Sequence, residues 1–160
     1  MNKLNLLIVI VIIATLFVSC DADKNDNEKT LIGNLIFNQG DISTIEVVKE
    51  GSGENVIVSD SQKISSLINK VKEIPVRRLY LTEETNFFPE RLKEDSYFNV
   101  LFYSDYASKK LDGQLLIWPD GYISTTYITS MVGNQRTISY LSEPEYPNIY
   151  RWISDNLMTD

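Results

Sequence analysis

YFNVLFYSDYASKKLDGQLLIWPDGYISTTYITSMVGNQRTISYL, residues 97–141, decides the fold. Four runs rich in aromatic and β-branched residues, Tyr97–Tyr103, Gln114–Trp118, Tyr122–Ile128 and Arg136–Leu141, are separated by Lys109–Gly113, Pro119-Asp120-Gly121 and Gly133-Asn134. Such side chains suit a pleated, half-buried surface, and short breaks return each strand beside the last, so the stretch predicts an antiparallel β-meander. Pro119-Asp120-Gly121 is the clearest turn, because proline presets one corner and glycine takes the positive φ that closes a short hairpin.

Working upstream, Ser59 or Asp60 offers a helix N-cap, with Gln62 as a capping-box partner for Ser59, and Ile64, Leu67, Ile68, Val71 and Ile74 follow at helical spacing. Pro75 should end that helix, since the residue before proline avoids helical geometry. Before it, Ile42–Lys49 alternates, Gly51-Ser52-Gly53 supplies a tight connection and Asn55–Ser59 is β-branched, which predicts a hairpin. Leu31–Phe37 reads as a short strand or lead-in, Arg77–Leu81 as a strand, and Thr82–Asp95, charged and proline-containing, as a long loop. Downstream, Ile149, Trp152, Ile153 and Leu157 predict a helix over Asn148–Leu157 packed on the sheet. Hairpins dominate and helices are segregated, so the expected class is α+β with a mainly antiparallel sheet.

The N-terminus carries an address. Leu6–Val18 is apolar except for Thr15, follows a start whose one cation is Lys3, and is closed early by Ser19-Cys20-Asp21. That is the h-region of a secretion signal, and it is short for a membrane span, which needs about 20 apolar residues. Leu16-Phe17-Val18-Ser19-Cys20 resembles the bacterial lipobox, with Phe17 standing where leucine is usual. The resemblance implies cleavage before Cys20, acylation of its thiol, and stable anchoring by more than one acyl chain. Expected boundaries are therefore 1–19 for the signal peptide, 20–30 for the lipidated cysteine and a flexible tether, and 31–160 for one α+β domain. Within the tether, DADKNDNEK superficially resembles a calcium loop, but Asp26 stands where glycine is needed and Ile32 where a bidentate glutamate belongs. The whole layout, lipobox, hairpin, helix, tyrosine-rich meander and final tryptophan-bearing helix, resembles the small lipoproteins of low-GC Gram-positive bacteria, YhfM-like domains among them. That resemblance implies location and fold and brings no activity with it.

Composition excludes most enzyme plans. The 160 residues contain no histidine and one cysteine, so neither a Ser-His-Asp nor a Cys-His arrangement nor a disulfide within the chain is available. Zinc and transition metals draw on the same two residues, and no phosphate-binding glycine motif occurs, so no metal and no cofactor is implied. A net charge of −7, one unit more acidic once Lys3 leaves with the signal, repels phosphate backbones and argues against nucleic acid as a partner.

What remains is a binding reading. The expected partners are the membrane, through the lipid on Cys20, and an envelope protein or cell-wall ligand. Phe87-Phe88-Pro89 places two large apolar side chains in a charged segment, and with Trp118 and Tyr122 of the meander these are the candidate contact residues. Most of the meander tyrosines are assigned to packing, and Arg77-Arg78 to ion pairs with nearby glutamates. Two alternatives stay open: a carboxylate-dependent enzyme acting on cell-wall glycans through a pair among Glu83, Glu84, Glu90, Glu94 and Asp95, and a protective or inhibitory lipoprotein of the immunity type.

Overall fold

The computed structural model describes residues 29–37, 41–93, 96–131 and 134–159. Cys20 and all of segment 1–28 lie outside the described residues, as do Glu94 and Asp95. The described strands are β1 (Lys29–Leu31), β2 (Thr44–Lys49), β3 (Glu54–Val58), β4 (Pro75–Arg78), β5 (Phe98–Asp105), β6 (Lys110–Ile117), β7 (Ile123–Met131) and β8 (Asn134–Leu141). The helices are α1 (Ile32–Ile36), α2 (Ser61–Val71), α3 (Leu81–Arg91) and α4 (Pro147–Asn156). All strands join one antiparallel sheet in the order β1-β4-β8-β7-β6-β5-β2-β3. The class is thus α+β, with a sheet larger than hairpin and meander considered separately. β2 aligns six residues with β5, from Thr44↔Tyr103 to Lys49↔Phe98, and welds the two units together.

One face of this sheet carries the core. Ile45, Val47, Val100, Phe102, Leu115 and Ile117 are all fully buried there and pack with α1, α2 and α4. α2 buries Ile64, Leu67 and Val71 at helical spacing, each stabilising the fold by about 1.5–3 kcal/mol relative to exposure. Its cap is Asp60, whose Oδ1 accepts the N–H groups of Gln62 and Lys63 at 2.8 and 3.1 Å. α4 begins at Pro147 beside the Pro119-Asp120-Gly121 turn, where Gly121 has φ 96° and a Cβ would lie 2.8 Å from Pro147 Cδ. The turn and this helix start therefore fix each other.

Two expectations are corrected. Leu31–Phe37 is not a strand throughout: after β1 the chain turns into α1, because Ile32 and Ile36, one turn apart, both bury in the core. The Ile32 and Gly33 N–H groups donate to Ile74 and Lys72 carbonyls, an approach so close that a Cβ at Gly33 would meet Lys72 O at 2.9 Å. Thr82–Asp95 is not a long loop either, since Leu81–Arg91 is helical with Pro89 inside its last turn. The preceding strand is confined to β4, which ends at Arg78. β6 also begins earlier than expected, taking Lys110–Gly113 out of the predicted turn.

The sheet is not uniformly bonded. β6 and β7 register at Leu115↔Thr125, Leu116↔Ser124 and Ile117↔Ile123 and then separate, while β6 continues against β5 and β7 against β8.

Candidate functional site

Strand alternation puts Glu46, Val48, Asn55, Ile57, Asn99, Leu101, Gln114 and Leu116 on the face opposite the core. Asn55 and Ile57 are exposed and the other six partly exposed, and among the described residues no helix is seen to cover the half of this face built by β3, β2, β5 and β6. Ile57 is 53% exposed. The polar members are stitched across the strands: Asn55 Nδ2 donates to Glu46 Oε1 at 2.8 Å and Gln114 Nε2 to Asn99 Oδ1 at 2.8 Å. Tyr103 OH donates to Glu46 Oε2 at 3.2 Å, and its phenol is held above the ordinary range by burial and then by the Glu46 charge. The result is a fixed ladder of amides and carboxylates between apolar side chains, a surface able to exchange hydrogen bonds with a polar ligand while covering apolar area.

The other half of the same face is occupied by α3, through the residues singled out from sequence. Phe87, Phe88, Trp118 and Tyr122 come together in one cluster. Phe87 contacts Trp118 and Tyr122 edge to face at ring separations of 5.6 and 5.4 Å, and Phe88 lies 6.5 Å from Trp118. Trp118 has no exposed surface, so it acts as the floor on which α3 rests; Phe87, Phe88 and Tyr122 are half-buried. Tyr97 stacks on the far side of Trp118 at 5.6 Å. The Arg91 guanidinium lies 5.3 Å from the Phe87 ring and 5.0 Å from the Tyr122 ring and pairs with Asp120, while Trp118 Nε1 donates to Arg91 O at 3.4 Å.

The N-terminus of α3 is tied down by Glu83. Its Oε2 accepts the Tyr80 N–H at 3.0 Å, and its Oε1 pairs with Arg77 Nη1 at 2.8 Å. These two partners, the backbone N–H first, hold its carboxyl below the ordinary value near 4.5. Between α3 and β4–β8 lies a cleft of about 380 Å3 bounded by Arg77, Leu79, Asn86, Phe87 and Leu141.

Among the described residues, none of the clefts at β6–β7, at β1–β4, beside β3 and under α3 is lined by two carboxylates; each has one, Asp112, Glu143, Asp60 and Glu83 in turn. Glu90 is engaged by Lys93 at 3.2 Å. Among the described residues no three His, Cys, Asp or Glu side chains gather as a metal site, and no helix is long and apolar enough to cross a membrane.

The four residues chosen from sequence as contacts come together in one cluster between α3 and the sheet, with Trp118 fully buried in it, and the open ladder beside it was missed. Its signal was the pairing of polar with apolar residues on alternate positions of β2, β5 and β6, readable only once the strands are in register. Comparison of the chain with family models, with curated proteins and with solved structures gave no match.

Proposed function

We propose that the protein is a lipid-anchored, extracytoplasmic binding module of a bacterial cell envelope, tethered through Cys20 and using the open half of its sheet as the contact surface. The observation that carries the binding reading is the partly exposed ladder of Glu46, Asn55, Asn99 and Gln114 interleaved with Val48, Ile57, Leu101 and Leu116. A sheet face left bare of helices usually turns polar; this one retains apolar side chains beside prearranged donors and acceptors. The anchor rests on the leader and lipobox, and the acidic charge suits a partner that is neutral or cationic.

The test is site-specific photo-crosslinking in a bacterial host, with the photoreactive group at Ile57 in one variant and at Ser66 on the outer side of α2 in another, each with Cys20 intact or as Cys20→Ala. Intact chains should lose residues 1–19, gain acyl mass and give adducts from position 57 well above those from position 66. Equal yields from both positions would sink the contact surface, and an unacylated, soluble intact chain would sink the anchor.

A further inference from the structure

β6 and β7 leave a gap inside the sheet. Extending their ladder past Leu115↔Thr125 would set Gln114 opposite Thr126 and Gly113 opposite Tyr127, and neither pair forms. Instead, Thr125 Oγ1 donates to Gln114 O at 2.9 Å and marks the apex of a fork. The cause is α1, which packs against both strands and seats Ile36 on Gly113 so tightly that a Cβ there would lie 2.3 Å from Ile36 Cγ2. Beyond the apex, Lys110–Gln114 has no strand paired to it on that side among the described residues and faces the corresponding edge of β7.

The fork opens into a cleft of about 250 Å3 lined by Leu35, Leu111, Asp112, Gln114, Thr126 and Tyr127. Asp112 is the one charge in this lining among the described residues. Its Oδ2 accepts the Ser104 N–H at 2.5 Å, whereas Oδ1, like the neighbouring Ser104 Oγ, is shielded from water and has no hydrogen-bond partner among the described residues. A carboxylate in the lining of a cleft makes a cation or an N–H donor the favoured occupant of that cleft. Lys110, the nearest cation along the strand, already stands opposite Asp105.

We infer that this fork receives an extended segment of another polypeptide, which adds as a strand to the free edge of β6 from Gln114 back to Lys110 and carries a Lys or Arg into the cleft against Asp112. Unpaired strand edges are templates for main-chain pairing, and side-chain pockets then set the choice of partner. The net charge of −7 favours the same cationic occupant at long range. This inference rests on the binding-module reading but uses a different surface from Ile57, so the two can fail separately.

The experiment uses the full chain extracted from host membranes, eight-residue peptides alternating Val and Thr around a central Lys, and two controls: Glu in place of that Lys, and N-methylation of alternate backbone amides. Hydrogen exchange by mass spectrometry and fluorescence anisotropy are read together. The Lys peptide should slow exchange over residues 110–114, the N-methylated peptide should bind at least tenfold more weakly, and Asp112→Asn should cost about tenfold. Thr126→Lys, which places a cation in the cleft from the protein's own side, should abolish the preference for Lys over Glu. Equal binding of the Lys and Glu peptides, insensitivity to N-methylation, or protection confined to β3 would overturn the proposal. So would protection over residues 110–114 that grows with protein concentration in the absence of peptide, which would make a second copy of the chain the occupant. If the peptides fail while Ile57 still gives envelope adducts, only the fork is lost.

Discussion

Gly113 shows how one missing side chain shapes this molecule. It lies in the middle of β6, where glycine costs about 0.5–1 kcal/mol relative to alanine in conformational freedom. The compensation is Ile36 of α1, seated where a Cβ would be and itself 1% exposed. Gly113→Ala is expected to lower stability by about 1–3 kcal/mol, because a buried contact at 2.3 Å must be relieved by moving α1 or bending β6. Urea unfolding measures the loss, and hydrogen exchange locates it. The amides of α1 should lose protection first, and if α1 swings away the fork should close by further β6–β7 pairing. Unchanged stability, with α1 as protected as in the parent, would show that this helix is not what wedges the strands apart.

At the scale of elements, α3 is the exception among the longer helices. It buries no residue fully, contains Pro89, and reaches the sheet through Phe87, Phe88 and Arg91. Its protection against exchange should therefore be well below that of α2, and it should respond to acid. Glu83 has its carboxyl depressed by the Tyr80 N–H and by Arg77, so its contribution is present above pH 4.5 and is lost as pH falls through the lower folded value. Because both partners of the ion pair are partly exposed, the effect on local opening should be under about 1 kcal/mol. Exchange corrected for its intrinsic pH dependence should show α3 loosening as pH falls below the ordinary glutamate value of 4.5. Glu83→Gln should be loose already at neutral pH and insensitive to acid. A Glu83→Gln helix with parental protection at pH 7 would remove Glu83 as its anchor.

The same element shows where sequence reading stops. α2 and α4 were legible because their apolar residues recur at helical spacing and their starts carry Asp60 and Pro147. The hairpin and the meander were legible because their breaks contain the glycines and proline that turns require. In α3 the residues turned toward the sheet, Glu83, Phe87, Phe88 and Arg91, are chemically mixed, so no continuous apolar stripe exists; Pro89 adds a false stop. The gathering of Phe87, Phe88, Trp118 and Tyr122 was reachable in part, since the two phenylalanines stood out in a charged segment while Trp118 and Tyr122 lay among the meander aromatics. The fork was not. Nothing local distinguishes a ladder that stops after three pairs from one that continues, although the reading of Lys109–Gly113 as a break responded to the glycine that the wedge requires.

On the scale of the whole molecule, the fork divides the sheet into β1-β4-β8-β7 and β6-β5-β2-β3, joined by three registered pairs and the Pro119-Asp120-Gly121 turn. Main-chain pairing alone would make this a hinge. The core argues otherwise: Ile64, Leu67 and Val71 of α2 share one buried cluster with Val76, Ile123 and Tyr140 from the first half and with Ile45, Phe98 and Leu115 from the second. Hydrophobic burial worth about 25 cal/mol per Å2 across that shared cluster outweighs the few hydrogen bonds missing at the fork, each worth about 1 kcal/mol net. The two half-sheets should therefore unfold together. In a Trp152→Phe background, urea transitions followed by Trp118 fluorescence, which reports the seam between α3 and the meander, and by far-ultraviolet circular dichroism, which reports all strands and helices, should share one midpoint. A fluorescence midpoint well below the dichroism midpoint would mean that the halves part at the fork before the core dissolves. The inserted strand would then be holding the domain together rather than merely occupying a slot.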